Sequence, residues 1–205
     1  LENGLVPVAT AQLWGSQVVS ALVSLHSCSP PIVHRALRCD HLVVDQVTSC
    51  KVFFAYPRLD EDQRKAVHFV AYIPPELYDN DVVTPKVDVY ALGMCMLHML
   101  TGKRPYEECK HAPEVYKRVE DGTLPAAIAE IADVDAHNFV EVCLQPVASR
   151  PTASDLLSHP FIAKATVPKV AFSGGKLKGV NGSKISICLT LSIKGKQKEI
   201  AFPFD

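Results

Sequence analysis

The chain has 205 residues, a formal net charge of −1 and a hydrophobic content of 48%. This composition supplies a core for one or two domains, and the small net charge favours no particular partner, so we do not predict nucleic-acid binding. The seven cysteines are an odd number without a C-x-x-C pair. They indicate reduced, buried thiols in an intracellular protein rather than a disulfide framework or a zinc site.

The sequence carries no recognisable targeting or membrane signal. No charged segment followed by an apolar one opens the chain, as it does in a signal peptide. The apolar run at 89–101 is too short to cross a bilayer. We therefore expect a cytoplasmic protein without a membrane span.

Helical signals occupy most of the first 160 residues. Apolar residues at helical spacing predict a helix over 9–25. A strongly apolar helix over 86–101 is predicted to begin with Thr84 as N-cap and Pro85 at the first helical position, and to end at Gly102. Thr152 and Asp155 form a capping-box-like start to a last short helix. Further predicted elements are two strands at 42–44 and 50–54 and helices at 112–121 and 135–144.

The last forty residues change character. Pro168 and several glycines predict a linker over 164–183. Strict alternation over 184–205 then predicts a β-hairpin with one apolar side. That side comprises Ile187, Leu189, Leu191, Phe202 and Phe204 among others. An isolated hairpin is marginal in water, so this one is expected to pack on something else.

Between the first helix and the first strand lies H-R-A-L-R-C-D-H at 34–41. It resembles the catalytic loop of protein kinases, H-R-D-L-x-x-x-N. Other motifs follow in family order: P-P-E at 74–76 resembles A-P-E, D-V-Y-A-L-G at 88–93 resembles the start of helix F, and R-P-T-A at 150–153 resembles the end of the C-lobe. The resemblance implies an α+β fold, a mainly helical protein-kinase C-lobe over 1–163.

A narrower resemblance concerns the with-no-lysine (WNK) kinases and their pseudokinase relatives. P-P-I-V-H-R at 30–35 and G-M-C-M-L at 93–97 resemble that branch. In that family a small C-terminal domain opens with a β-hairpin and binds short basic-aromatic peptides of the R-F-x-V type. The resemblance implies that 184–205 is the start of such a domain, with its apolar side as the candidate peptide-binding surface.

The positions that perform chemistry in active kinases are changed. Ala36 stands at the position of the general base and cannot accept a proton. His41 replaces the metal-binding Asn and is a poor ligand for magnesium, while Phe54, at the D-F-G aspartate, offers no oxygen. Arg38 replaces a lysine that contacts phosphate, with a different reach. We therefore predict a non-enzyme without cofactor or metal.

The residues that hold the lobe together in the family are retained. The resemblance implies a buried ion pair between Glu76 and Arg150. It also implies that Asp88 accepts backbone N–H groups of the loop and that His34 lies beneath it. Arg35, which pairs with a phosphorylated residue in active relatives, is expected to meet acidic residues at 60–62 or solvent.

Because the catalytic positions are changed while the structural residues are retained, we predict a pseudokinase that acts as a protein-interaction scaffold. Its expected partners are proteins, either short basic-aromatic peptides or neighbours in a larger assembly. Two alternatives stay open. One is a structural component of a cytoskeletal assembly, and the other is an atypical serine/threonine kinase with displaced catalytic residues.

Overall fold

The computed structural model describes residues 6–45, 49–52, 67–79, 83–165, 171–181, 184–193 and 196–204. The chain divides into two compact units, Leu1–Ala165 and Thr166–Asp205. The first is mainly helical with one two-stranded sheet, and the second is a three-stranded sheet. The predicted α+β class is confirmed.

The first helix, α1 (Val8–His26), contains no Asp, Glu, Lys or Arg. By length and apolar content it could cross a membrane, a test that a core helix also passes. The expectation of no membrane span rested on the run at 89–101 and overlooked this helix. Val18, Val19 and Leu22 are fully buried, so α1 supplies one wall of the core of the first unit.

The central helix, α4 (Lys86–Thr101), has the predicted bounds and is buried along nearly its whole length. It ends because Gly102 adopts a left-handed φ of 69°, which favours glycine. Gly93 allows the close approach of the neighbouring helix, since an added Cβ would lie 2.7 Å from Cys143 Cβ. The predicted N-cap was wrong: Pro85 occupies that position, and the buried Thr84 hydroxyl has no hydrogen-bond partner among the described residues.

Shorter elements surround these two helices. Strands β1 (Leu42–Asp45) and β2 (Ser49–Val52) pair antiparallel, with Leu42 opposite Val52. The remaining helices are α2 (Val67–Val70), α3 (Glu76–Asp79), α5 (Ala112–Glu120), α6 (Val134–Cys143), α7 (Ala153–Leu156) and α8 (Pro160–Ala163), with 3₁₀ turns at Cys39–His41 and Ala126–Glu130. The predicted capping box at Thr152 and Asp155 is present at α7, with both reciprocal hydrogen bonds.

The second unit differs from the prediction in one respect. The segment interpreted as a linker contains a strand, β3 (Ala171–Asn181), which pairs with β4 (Lys184–Ile193), and β4 pairs with β5 (Lys196–Phe204). The glycines do not prevent pairing because the register shifts twice, between 172 and 175 and between 178 and 180. Such irregularities let a glycine-rich strand bend and stay paired.

The backbone register aligns the candidate peptide-binding positions. Ile187 is opposite Leu177 on β3 and Phe202 on β5. Leu191 is opposite Lys198. Because directly paired residues share a face of a sheet, the predicted apolar side extends to a third strand.

Candidate functional site

The segment at 34–41 is held by one carboxylate from the central helix. Asp88 is 1% exposed, and its Oδ2 and Oδ1 accept hydrogen bonds from the backbone N–H groups of His34 and Arg35, each at 2.8 Å. Asp88 lies in the first turn of α4, where the helix dipole favours a negative charge. The acid therefore serves the helix start and the loop at once.

A third donor to Asp88 was not predicted. His26, the last residue of α1, lies 2.9 Å from Asp88 Oδ2 through Nε2. A carboxylate only accepts, so Nε2 carries the proton. No local pattern signals this contact, because a histidine at a helix end is usually a partner of the terminal carbonyls. It ties α1, the loop and α4 together at one point.

Arg35 has a left-handed backbone, with φ of 63°, and an exposed side chain. This conformation costs an L-residue about 1–2 kcal/mol, and it is held by the hydrogen bond from Arg35 N–H to Asp88. The acidic residues at 60–62, its expected partners, lie outside the described residues. What the structure shows at Arg35 is therefore a left-handed backbone turn that leads into Ala36.

Two histidines hold the backbone of Ala36 from both sides. The Ala36 N–H donates to His34 Nδ1 at 3.3 Å, and His41 Nδ1 donates to the Ala36 carbonyl at 2.5 Å. His34 and His41 are both buried. His41 thus closes the loop across five residues, a structural use of the position that holds a metal ligand in active kinases.

At the one metal-ligand position that lies within the described residues, the side chain is used for another contact. No group of three or more His, Cys, Asp or Glu side chains that could hold a metal occurs within the described part of the chain. His41, at the metal-ligand position, is engaged with the backbone of Ala36 instead. Phe54, at the other metal-ligand position, lies outside the described residues.

The contacts of Arg38 indicate a structural role rather than phosphate binding. Its Nε donates to Asp40 Oδ1 at 2.9 Å, its Nη2 contacts Asp40 Oδ2, and its Cζ lies 3.5 Å from the centre of the Phe69 ring. Burial raises the pKa of Asp40, but the hydrogen bonds and charge of Arg38 outweigh it and keep that pKa below its usual range. The guanidinium therefore connects the loop to Phe69 in α2.

The structure brings Glu76 and Arg150 together in a bidentate ion pair, at 2.5 Å from Nη1 to Oε1 and 3.1 Å from Nη2 to Oε2. The Arg150 side chain is fully buried. It also donates to the backbone carbonyls of Lys86 and Gln145 at 2.9 and 3.0 Å. Its guanidinium also lies 5.1 Å from the centre of the Tyr90 ring in α4. Through these contacts Arg150 connects α3, α4 and the segment before α7.

Comparison with known proteins places these features in a family. Residues 1–162 match the protein kinase domain family. Serine/threonine-protein kinase WNK8 of Arabidopsis thaliana is 35% identical over 155 residues, which are 74% of this chain and 27% of that protein. Probable serine/threonine-protein kinase WNK6 of Oryza sativa subsp. japonica is 34% identical over 161 residues, 77% of this chain and 36% of that protein. The chain thus spans about a third or less of the length of these relatives.

The relatives overturn one prediction. From Ala36, His41 and Phe54 we predicted a protein that is not an enzyme, whereas the similar proteins are named serine/threonine-protein kinases. The prediction rested on three single positions, whereas the similarity to these kinases extends over most of the chain. With the family match over residues 1–162 and the retained loop framework, the chain belongs to the protein kinase family as a WNK-like member.

Proposed function

We propose that this chain is the C-terminal lobe of a serine/threonine-protein kinase that phosphorylates proteins slowly, and that the lobe also binds protein partners. The observation that carries the proposal is the set of hydrogen bonds to Asp88. Three donors from α1 and the loop converge on this one buried carboxylate, and they preserve the loop conformation even though position 36 is alanine.

The expected slowness follows from the proton balance. In phosphoryl transfer the substrate hydroxyl oxygen bonds to the terminal phosphorus while the bond to the leaving phosphate oxygen breaks. The hydroxyl proton has no acceptor in the Ala36 side chain, so it leaves to a phosphate oxygen or to water. Loss of a positioned general base typically costs about 10²- to 10⁴-fold in rate.

Restoring the carboxylate tests this proposal. In full-length protein, Ala36→Asp should raise the rate of phosphate transfer from ATP to a serine- or threonine-containing protein substrate by about 10²- to 10⁴-fold. Ala36→Asn is the matched control, because it adds a side chain of similar size without a basic carboxylate. Phosphorylation is measured by mass spectrometry and by transfer of labelled phosphate. Failure of both the wild type and the Ala36→Asp variant to transfer phosphate would refute the kinase proposal.

The scaffold part of the proposal rests on the second unit. Its three strands align apolar positions in register, including Ile185 with Phe204 and Ile187 with Phe202. An apolar face is the kind of surface that receives the aromatic residue of a short peptide, and the edges β3 and β5 offer backbone groups for an added strand. We infer that peptides of the R-F-x-V type are its ligands.

A peptide titration separates the two faces of the sheet. A fluorescent R-F-x-V peptide should bind the full chain, and Ile187→Lys should weaken binding at least tenfold because it places a charge at an apolar position. Thr190→Lys is the matched control, since residue 190 falls on the opposite face by alternation of β4. Equal weakening by both variants, or no binding of the peptide by the wild type, would contradict this proposal.

A further inference from the structure

The first unit carries an open groove beside α6, with a volume of about 320 Å³. Its lining residues are Ile131, Ala132, Val134, His137, Asn138 and Glu141. All six belong to the first unit and lie outside the loop at 34–41. Pockets that hold small molecules in proteins begin at about 300 Å³, so this groove has room for one or two side chains of a bound peptide.

One part of the groove is apolar. Ile131 is buried, whereas Val134, the first residue of α6, is 80% exposed, the largest exposed fraction of any large hydrophobic residue that the structure describes. Val134 is held there by the helix cap, because Asp133 accepts a hydrogen bond from the Ala136 N–H at 2.8 Å. The valine therefore keeps its apolar surface in water, and covering that surface with an apolar side chain of a partner is favourable.

The other part of the groove is polar and presents a hydrogen-bond donor. His159 Nδ1 accepts from the Phe161 N–H, so His159 Nε2 carries the proton and donates to Asn138 Oδ1 at 2.9 Å. This contact sets the orientation of the Asn138 amide. Its Nδ2 group has no hydrogen-bond partner within the described part of the chain, and Asn138 is exposed. Nδ2 is therefore a donor for a carbonyl group of a bound peptide.

The charge around the groove is negative. The stretch from 119 to 149 contains six acidic residues and neither lysine nor arginine. Two of these carboxylates pair with lysines from outside the stretch, as Glu130 does with Lys103. The Glu141 carboxylate, which lines the groove, pairs with a histidine instead, at 3.4 Å from Oε2 to His137 Nδ1, and both side chains are partly exposed. The groove therefore offers carboxylate oxygens to a cationic side chain.

We propose that this groove binds a short segment of a partner protein in which an apolar side chain has a lysine or arginine beside it. The apolar side chain packs on Val134 and Ile131, the basic group pairs with the Glu141 carboxylate, and a backbone carbonyl accepts from Asn138 Nδ2. A segment with acidic neighbours is rejected because it places like charges together. The site goes beyond the proposed function, since it belongs to the first unit and the R-F-x-V site is proposed on the second.

A peptide titration followed by NMR tests the site and locates it. The probe is the capped peptide G-S-R-L-R-S-G, added to the isotope-labelled full chain. We expect the backbone amide signals of 131–141 to shift, and to shift far less with the peptides G-S-R-S-R-S-G and G-S-E-L-E-S-G. Equal shifts with the three peptides would overturn the proposal. So would the absence of a shift at about 1 mM peptide, where even a millimolar Kd gives half saturation.

Variants separate the groove from the rest of the surface. Val134→Ser should weaken binding of the R-L-R peptide about tenfold because an exposed apolar contact is lost, and Glu141→Gln about two- to fivefold because one exposed ion pair is lost. Val8→Ser and Glu120→Gln are the matched controls, since both residues are exposed and neither lines the groove. Equal weakening by the controls, or weakening by Ile187→Lys instead, would overturn the proposal. Phosphate transfer does not enter these measurements, so their outcome is independent of the kinase proposal.

Discussion

Two buried charged side chains hold two regions of the first unit in different ways. Arg150 meets another charge, the carboxylate of Glu76, and adds two backbone carbonyls from other elements. Asp88 meets two loop N–H groups and His26. Both are 1% exposed, yet one joins packed helices and the other sets the path of a loop.

Because the two residues hold different parts of the unit, substitutions around them should have different effects. Removing a partner of Arg150 leaves a buried charge unpaired between helices, which affects the whole unit. Removing the carboxylate of Asp88 releases a short loop whose conformation serves the site. We therefore expect substitutions around Arg150 to lower the free energy of unfolding most, and substitutions around Asp88 to change amide hydrogen exchange in the loop.

Glu76→Gln is expected to have the largest effect. Loss of one partner of a buried ion pair costs about 3–5 kcal/mol, and the 15% exposure of the Glu76 side chain favours the lower end. Urea unfolding measures the change. Glu130→Gln is the control, because it breaks an ion pair with Lys103 whose side chains are both 49% exposed, worth less than about 1 kcal/mol. Equal losses of unfolding free energy in the two variants would contradict the expected difference between the buried and the exposed ion pair.

Asp88→Asn comes next. The amide can accept at one atom only, so one loop N–H loses its acceptor, at a cost of about 1–3 kcal/mol. Amide hydrogen exchange of His34 and Arg35 should accelerate more than exchange in α5 or α6. Asp121→Asn, at the exposed end of α5, is the control. Unchanged exchange in the loop would show that Asp88 does not hold it.

Arg35→Gly is expected to stabilise the first unit. Glycine tolerates a φ of 63° without the penalty of about 1–2 kcal/mol that an L-residue meets, although it loses more backbone entropy on folding. We expect a net gain of up to about 1 kcal/mol in thermal unfolding. Arg35→Ala removes the same side chain but keeps Cβ, so a gain in both variants would assign the effect to charge rather than to backbone conformation.

The smallest effect concerns acid and His159. Burial lowers the pKa of His159 below 6.5, so the native state favours the neutral ring, whose Nδ1 accepts from Phe161 N–H at 3.2 Å. This contribution is complete above pH 6.5, the unfolded pKa, and is lost as pH falls from 6.5 toward the lower folded pKa. The melting temperature of the wild type should therefore fall relative to His159→Asn in this range. Parallel curves would refute the assignment.

Local signals were the most informative part of the sequence. The bounds of α4 and the capping box at α7 were predicted because glycine at a helix end and Thr152 with Asp155 act within one turn of the backbone. The prediction failed at Thr84 because Pro85 satisfies the helix start by its own φ and leaves the hydroxyl unused. Capping propensity identified a suitable residue type near the start of α4, but it did not identify which residue occupies the N-cap position.

Long-range contacts required the resemblance to a family. Glu76 and Arg150 are 74 residues apart, and nothing in their neighbourhoods indicates that they meet. The roles of His26 and Phe69 were not predicted at all, because each depends on which side chain lies opposite in space. The strand at 171–181 was missed for another reason: its glycines have the composition of a linker, and pairing with β4 decides otherwise.

Local periodicity, capping and motif spacing were enough to specify the main helices, their ends and the family to which the first 162 residues belong. The altered loop residues acquire their roles only in the packed molecule. Arg38 binds Asp40 and contacts Phe69, His41 donates to the Ala36 carbonyl, and the Cys39 thiol donates to the Cys95 backbone carbonyl. Most buried polar groups are hydrogen-bonded to their surroundings, and those surroundings exist only once α1, α4 and the loop have packed together.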